Sequence, residues 1–320
     1  MLIPAQFLVL TILAAAPPQP PPDPADADKP FIRRRDLVYA EVHGTGLLMD
    51  VFLPKDAPNG LGLVDVISGA WHSDRGKLRD HERADLFGVF CARGYTVFAI
   101  RPGSITGYTG FDMVDHVKMG IRWVKAHAGE YGIDPDRLGL VGASAGGHLA
   151  CLAAVTPSNG RPGASNPQER FDTRVAAVGV FFPPTDLLDY GGAEFNLDMI
   201  GRMLYRGGIG THSLEDAREK ARLLSPARLV KAPVPPFIIF HGDRDPMVPL
   251  QQSQVLLKAL QAAGGQAQLV VKPGGGHPWF TIREEIVQMA DWFDGQLKKP
   301  ATRPANPQPR AAAAENRDVK

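Results

Sequence analysis

Ser144 is the residue whose surroundings most clearly suggest chemistry. It lies in Gly142-Ala-Ser-Ala-Gly146, between the apolar run Leu138–Val141 and a helical pattern at 147–155. A serine in this setting occupies a tight, strained turn, and the flanking glycines let the strand and the helix approach without collision. Free N–H groups at the start of the helix can then stabilise an oxyanion. A glycine-flanked serine alone is a weak signal, so the interpretation depends on an acid and a base elsewhere.

Two candidates for the acid follow the apolar run Phe237–Phe240. The segment His241-Gly-Asp-Arg-Asp-Pro-Met-Val-Pro249 places Asp243 and Asp245 just past a predicted strand. A carboxylate at this point can accept a hydrogen bond from an imidazole, fix its tautomer and stabilise the imidazolium. An aspartate in such a turn can also cap backbone N–H groups. We expect His241 to support the same loop by hydrogen bonding.

His277 is the candidate base. It follows the predicted strand Gln268–Val271 and the glycines of Lys272-Pro-Gly-Gly-Gly-His277, which let a loop fold over the ends of the strands. The chain order Ser, Asp, His is one of the orders in which catalytic triads occur. Four other histidines lack such a setting and are expected to have structural roles: His72, His81, His116 and His148.

Short strands that alternate with helices would position these residues. The strands are predicted at 37–42, 47–53, 61–68, 95–100, 138–141, 175–182, 237–240 and 268–271. Helices, recognised by apolar residues three and four apart, are predicted at 114–128, 147–155, 252–263 and 282–297. The first two strands, joined by His43-Gly-Thr-Gly46, form an antiparallel hairpin. The remaining alternation implies a mostly parallel, doubly wound α/β sheet with catalytic groups at the carboxyl ends of its strands.

The segment 185–228 interrupts this alternation. It reads as loop at first and as helix through Leu214–Leu224, and it lies between two predicted strands. A connection of this length is usually functional or mobile. We interpret it as a small cap over the site, with a surface excursion as the alternative.

These motifs together resemble the α/β-hydrolase superfamily, especially its bacterial carboxylesterases and lipases and its feruloyl- and acetyl-esterases. The resemblance implies an α/β-hydrolase fold, hydrolysis through an acyl-enzyme, and no cofactor or metal. It also implies a triad of Ser144, Asp245 and His277, because Asp245 rather than Asp243 matches the family's acid position. The resemblance covers most of the predicted domain and is carried by Asp115–Ala150, Ser225-Pro226, Pro235–Pro249 and Gly274–His277.

An oxyanion hole of backbone N–H groups belongs to the same motifs. One donor is expected at Ala145, the residue after the nucleophile, and the second in the loop Ile67-Ser-Gly-Ala-Trp-His72. The family often has His-Gly-Gly-Gly-Trp here, and only Gly69 and Trp71 match. Because the donor is a backbone group, Ala70 or Gly69 can still supply it.

Composition argues against several other classes of protein. Lysine and arginine number 35 against 34 acidic residues, so the formal charge of +1 gives no strong field to attract nucleic acid. The hydrophobic share of 44% allows a large core without metals or disulfides. Cys91 and Cys151 lie among apolar residues and are expected to be buried free thiols. This balance favours a small, roughly neutral substrate as the partner, and the resemblance implies that it is an ester.

Both ends of the chain are expected to lie outside the domain. Residues 1–16 form an apolar run that ends in Ala14-Ala-Ala16 and is typical of a secretory signal, with an uncleaved anchor as the alternative. Residues 17–30 read as a proline-rich linker and 300–320 as a disordered tail. We therefore predict a catalytic domain at 31–299 in a secreted or periplasmic protein with no membrane span in its mature form.

Three functions are compatible with these features. The leading hypothesis is hydrolysis of a small or sugar-linked carboxylic ester. A serine peptidase related to prolyl oligopeptidases would share the loop after Phe240, but no propeller repeat is visible in the sequence. A non-catalytic binding protein on the same fold is disfavoured because Ser144, Asp245 and His277 are all present.

Overall fold

The computed structural model describes residues 26–193 and 197–298. The predicted signal at 1–16, most of the linker and the predicted tail at 300–320 lie outside these residues, and those assignments remain predictions. Among the described residues, no helix is both long and apolar enough to cross a membrane.

Eight strands form one sheet, and each corresponds to a strand predicted from the sequence. Their bounds are β1 Phe31–Val42, β2 Thr45–Pro54, β3 Gly62–Val66, β4 Thr96–Ile100, β5 Leu138–Ala143, β6 Ala177–Phe181, β7 Phe237–Gly242 and β8 Ala267–Lys272.

The helices at 110–126, 145–155, 251–262 and 282–297 match the four predicted ones closely. The described residues contain these α-helices: α1 Arg75–Arg83, α2 Leu86–Cys91, α3 Gly110–Ala126, α4 Ala145–Val155, α5 Leu197–Leu204, α6 Leu214–Leu223, α7 Pro226–Leu229, α8 Gln251–Ala262 and α9 Ile282–Leu297.

The strand order confirms the predicted fold class. The order across the sheet is β1-β2-β4-β3-β5-β6-β7-β8. The neighbours β1 and β2 are antiparallel, as are β2 and β4, and every other neighbouring pair is parallel. Parallel strands end at the same edge of a sheet, so the loops that follow β3, β5, β7 and β8 meet there.

Helices cover both faces of the sheet and divide the core into two apolar clusters. One cluster contains side chains of α3 and α4, and the other contains side chains of α2 and α9. The central strands β3, β4, β5, β6 and β7 are buried almost throughout, which explains their continuous apolar sequences. Cys91 and Cys151 are buried free thiols, as predicted.

The sequence-based prediction was wrong at two places. The first strand begins at Phe31 rather than Leu37, because Arg33 lies within it and pairs with the fully buried Asp50 at 2.7 Å, which makes a charged residue compatible with a sheet. The start of the segment 185–228 was predicted as loop, yet α5 is helical, and its Ile200, Met203 and Leu204 are buried. Whether this segment acts as a cap stays a prediction.

Candidate active site

Ser144 occupies the tight turn between β5 and α4. Its φ of 54° is positive, a conformation that residues other than glycine adopt at a cost of about 1–3 kcal/mol. A Cβ at Gly142 would lie 2.5 Å from the Gly146 carbonyl oxygen, and one at Gly146 would overlap the Val66 carbonyl oxygen. The two glycines are therefore required by the close approach of α4 to β3 and β5.

The structure brings Ser144, His277 and Asp245 into one hydrogen-bonded chain. Ser144 Oγ lies 2.9 Å from His277 Nε2, and His277 Nδ1 lies 2.6 Å from Asp245 Oδ2. A carboxylate accepts and does not donate, so Nδ1 carries the proton and Nε2 accepts from the serine hydroxyl. The His277 side chain is 8% exposed and that of Asp245 is fully buried, so the hydrogen bond between them is largely shielded from water.

Asp245 is held in its charged form by its surroundings. Burial alone would raise the pKa of this carboxyl, but hydrogen bonds from His277 and from the backbone N–H groups of Val248 and Met247 outweigh it and lower the pKa below its usual value. The two backbone bonds reach Asp245 Oδ1 at 2.9 and 2.8 Å, which leaves Oδ2 for the imidazole. The carboxylate is thereby oriented from both sides.

Asp243 and His241 have the supporting roles that the sequence predicted. Asp243 is exposed, and its Oδ1 accepts a hydrogen bond from the Gly274 N–H at 2.6 Å, which joins the loop after β7 to the loop after β8. His241 is fully buried between the Ser253 hydroxyl and the Val248 carbonyl oxygen, at 2.6 and 2.8 Å. Its burial lowers its pKa, in spite of the opposing influence of the Val248 carbonyl and Asp245.

The ring of Phe182 flanks the imidazole. Its centroid lies 4.3 Å from that of His277, and its backbone N–H donates to Phe240 O at 2.7 Å. Phe182 follows β6 and was not singled out by sequence reasoning, because a phenylalanine after a buried strand also fits an ordinary core position. Its contact limits how far the His277 ring can turn away from Ser144.

Two backbone N–H groups predicted from the sequence as oxyanion donors are available to a ligand. Ala145 N–H opens α4, and Ala70 N–H lies in residues 67–74, here called the Trp71 loop; neither has an acceptor among the described residues. Gly69 was the other predicted donor in this loop. Its N–H is donated to the His72 carbonyl oxygen at 2.9 Å, so Gly69 is corrected to a structural position and Ala70 remains.

The remaining histidines lie outside the hydrogen-bonded chain. His81 Nδ1 lies 2.7 Å from Asp65, and His116 Nδ1 lies 2.7 Å from the Pro102 carbonyl oxygen. His148 Nδ1 accepts a hydrogen bond from the Trp71 indole at 3.1 Å. Among the described residues, no group of three or more histidine, cysteine or acidic side chains is arranged to hold a metal ion.

Comparison with protein families assigns the chain. Residues 49–260 match the BD-FAE family, a range that runs from β2 into α8. The chain belongs to the BD-FAE family. The BD-FAE match includes Ser144 and Asp245 and ends before His277, so the placement of the histidine rests on the geometry described above.

Relatives of this BD-FAE protein carry esterase names. The probable carboxylic ester hydrolase LipM of Mycobacterium tuberculosis is 33% identical over 210 residues, which cover 64% of this chain and 46% of that protein. The chain spans roughly half to three fifths of the length of the first curated relatives it matches, with 46%, 60% and 57% covered.

Solved structures extend the comparison of the fold. A truncated carbohydrate esterase from gut microbiota superposes with a TM-score of 0.71 at 24% identity, covering 85% of this chain and 99% of that one, and this likeness concerns the fold. A thermophilic esterase of Thermogutta terrifontis, Est2, superposes with a TM-score of 0.63 at 26% identity over 81% of this chain and 90% of that one. The α/β-hydrolase fold is common to all of them.

Proposed function

We propose that this BD-FAE protein is a serine hydrolase of carboxylic esters. The observation that carries the proposal is the continuous chain from Ser144 Oγ through the His277 imidazole to the buried Asp245 carboxylate, with contacts of 2.9 and 2.6 Å. The esterase names of its relatives support the same reaction class.

The proposed reaction begins with attack of Ser144 Oγ on the ester carbonyl carbon. His277 Nε2 takes the hydroxyl proton as the new C–O bond forms, and Asp245, held charged by its hydrogen bonds, stabilises the resulting imidazolium. His277 then donates that proton to the departing alkoxide, and the alcohol leaves. Water, deprotonated by the same imidazole, attacks the acyl-enzyme; the acid leaves as the bond to Ser144 Oγ breaks, and His277 returns the proton to Oγ.

Negative charge on the carbonyl oxygen requires donors that are already in place. In the proposal, Ala145 N–H at the start of α4 supplies one hydrogen bond and Ala70 N–H in the Trp71 loop supplies the second. The N-terminus of α4 adds the favourable end of the helix dipole. Loss of one such donor typically lowers kcat about 10²–10³-fold.

A cleft lined by several hydroxyl-bearing side chains supports a substrate with a polar alcohol, such as a sugar. The cleft has a volume of about 270 Å³ and adjoins the Trp71 loop, to which it is joined by a hydrogen bond from Ser73 N–H to Ser104 Oγ at 2.9 Å. Hydroxyl groups of this kind match the alternating donors and acceptors of a sugar, whereas the buried Arg101 guanidinium is engaged by Asp36 and Asp50. The polar side chains that line it are Thr45, Ser73, Arg101, Ser104, Thr106 and Tyr108.

A substrate panel tests the proposal. Nitrophenyl acetate, butyrate and octanoate, an acetylated and a feruloylated xyloside, and a prolyl-peptide anilide are compared on the parent and on Ser144→Ala. We expect turnover of short-chain or sugar-linked esters by the parent, no turnover of the peptide, and near-complete loss in Ser144→Ala. Cleavage of the peptide in preference to every ester would favour the peptidase alternative and contradict the proposal.

A further inference from the structure

A buried histidine joins the Trp71 loop to the helix that begins at the nucleophile. Trp71 Nε1 donates to His148 Nδ1 at 3.1 Å, and His148 Nε2 lies 2.7 Å from the carbonyl oxygen of Leu224, just past the end of α6. His148 is fully buried and Trp71 is 7% exposed. The backbone N–H of His148 donates to the Ser144 carbonyl oxygen at 2.9 Å, so the ring is fixed relative to the nucleophile.

The two side-chain contacts define one protonation state of His148. An indole nitrogen can only donate, so Nδ1 is unprotonated, and the Leu224 carbonyl can only accept, so Nε2 carries the proton. Burial lowers the pKa of His148 to about 4, against the smaller opposing effect of the Leu224 carbonyl. At neutral pH the ring is therefore uncharged, and both of its nitrogens have a partner.

The His148 contact is, among the described residues, one of two hydrogen bonds that join the Trp71 loop to α4. Ala70 and Trp71 have φ angles of 47° and 58°, a region that L-residues disfavour. At one end the loop is tied to α4 by the hydrogen bond from Gly146 N–H to Ser68 O, at 3.0 Å. At the other end the link to α4 is the Trp71 indole. Backbone hydrogen bonds between Gly69 and His72 close the turn itself, so the attachments to α4 set where the turn and its Ala70 N–H lie relative to that helix.

We propose that His148 is a positioning residue, which fixes the Ala70 N–H relative to Ser144 by holding the Trp71 indole. In the same arrangement, the Leu224 carbonyl accepts the hydrogen bond from Nε2–H. This contact keeps the proton on Nε2, so Nδ1 stays unprotonated and can accept from the indole. Through Leu224, the segment 185–228 thereby supports the oxyanion side of the site. This inference rests on the proposed function, because it assigns the Ala70 N–H to the oxyanion.

Two amide substitutions separate the hydrogen bond of His148 with Trp71 from its hydrogen bond with Leu224. Asparagine places a polar atom near the position of Nδ1, so His148→Asn keeps an acceptor for Trp71 and loses the contact with Leu224. Glutamine reaches the position of Nε2, so His148→Gln keeps a donor for Leu224 and loses the acceptor for Trp71. Each variant loses one buried hydrogen bond, so the pair is matched in the damage expected to stability.

The two variants are expected to differ in kcat. Because complete loss of an oxyanion donor costs about 10²–10³-fold, a displaced donor in His148→Gln should lower kcat about 10–100-fold with KM within about twofold. His148→Asn should retain kcat within about threefold of the parent, since the indole keeps its acceptor. Trp71→Phe, which keeps the ring and removes the N–H, should match His148→Gln. The double variant Trp71→Phe/His148→Gln should be no worse than either single one.

A control and a second readout exclude general loosening of α4. Val155 lies at the far end of α4 and is buried, so Val155→Ala should lower the melting temperature and leave kcat unchanged. An alkylboronic acid forms a tetrahedral adduct with a nucleophilic serine, and one oxygen of that adduct imitates the oxyanion. Its inhibition constant should rise in His148→Gln by the same factor by which kcat falls, and stay constant in Val155→Ala.

The outcomes distinguish this inference from the proposed function. If the parent hydrolyses esters and folded His148→Asn, His148→Gln and Trp71→Phe have equal kcat, the positioning role is overturned and the serine mechanism stands. The positioning role is also overturned if both His148 variants lose activity while Trp71→Phe keeps it, because the histidine then acts on α4 alone. A parent that hydrolyses no ester overturns both.

Discussion

The acid–base side of the site and the Trp71 loop depend on different parts of the chain. On the acid–base side, the carboxylate of Asp245 and the imidazole of His277 are required as side chains, and hydrogen bonds to Val248 and Met247 hold the acid in place. In the Trp71 loop the proposed donor is the backbone N–H of Ala70, a group that nearly every residue has. Its position is set by positive φ angles and by the contact between Trp71 and His148.

This difference explains which departures from the family pattern can be tolerated. The acid–base side should respond to single substitutions with large losses of kcat and small losses of stability. The Trp71 loop should respond in smaller steps that are coupled to packing, because its backbone is positioned by several contacts at once.

The largest effect is expected at the two aspartates after β7. Asp245→Asn should lower kcat about 10⁴-fold, because an amide favours the wrong imidazole tautomer and cannot stabilise the imidazolium. Asp243→Asn should retain most of kcat, since its oxygen can still accept from Gly274 N–H. Steady-state kinetics and melting temperatures of both purified variants measure this. A large loss of kcat in Asp243→Asn, with kcat almost unchanged in Asp245→Asn, would reverse the assignment.

A smaller effect, on stability, should separate Gly142, in the turn that presents Ser144, from Gly69 in the Trp71 loop. In Gly142→Ala the new Cβ would lie 2.5 Å from a backbone oxygen of α4, so we expect a loss of more than about 3 kcal/mol of unfolding free energy. In Gly69→Ala the nearest atom, at 2.7 Å, belongs to the flexible Lys77 side chain, so the loss should stay below about 1 kcal/mol.

Chemical denaturation measures both glycine variants, and kcat of Gly69→Ala provides a second check. Because the Gly69 N–H is donated to His72, kcat should remain within about threefold of the parent. Equal destabilisation by the two alanines would mean that the Trp71 loop is packed as rigidly as the turn at Ser144. That result would remove the contrast between the two regions.

The smallest effect concerns pH and His148. Its folded-state pKa of about 4 lies below the ordinary value of about 6.5, so the unfolded chain binds the proton more readily between these values. The stabilisation is complete above about pH 6.5 and is lost as pH falls toward 4, by at most about 3 kcal/mol. The stability advantage of the parent over His148→Asn should therefore shrink between pH 7 and pH 5. Parallel stability curves for the two proteins would contradict this.

The two regions also differ in how much the sequence revealed. Ser144, Asp245 and His277 were predicted together because their motifs follow three strands that end at one edge of the sheet. The bond between Trp71 and His148 was not predicted, because it joins two elements across the tertiary structure and depends on a tautomer set by Leu224.

Strand β1 shows how tertiary partners change the interpretation of charged residues. The arginines at its start interrupt the alternation expected of a strand, and the sequence alone gave no partner for them. Arg33 is satisfied by Asp50 and Glu82, which are distant in sequence. Ion pairs of this kind join residues that come together only in the folded sheet, so the sequence alone does not reveal them.

The central claim is that Ser144 is the nucleophile, and reaction with a fluorophosphonate tests it most directly. A serine activated by His277 should react once per chain, and peptide mass spectrometry should find the adduct on Ser144. Esterase activity should fall in proportion to the fraction of protein that carries the adduct. An adduct on another residue, or full esterase activity in protein completely modified at Ser144, would contradict the account.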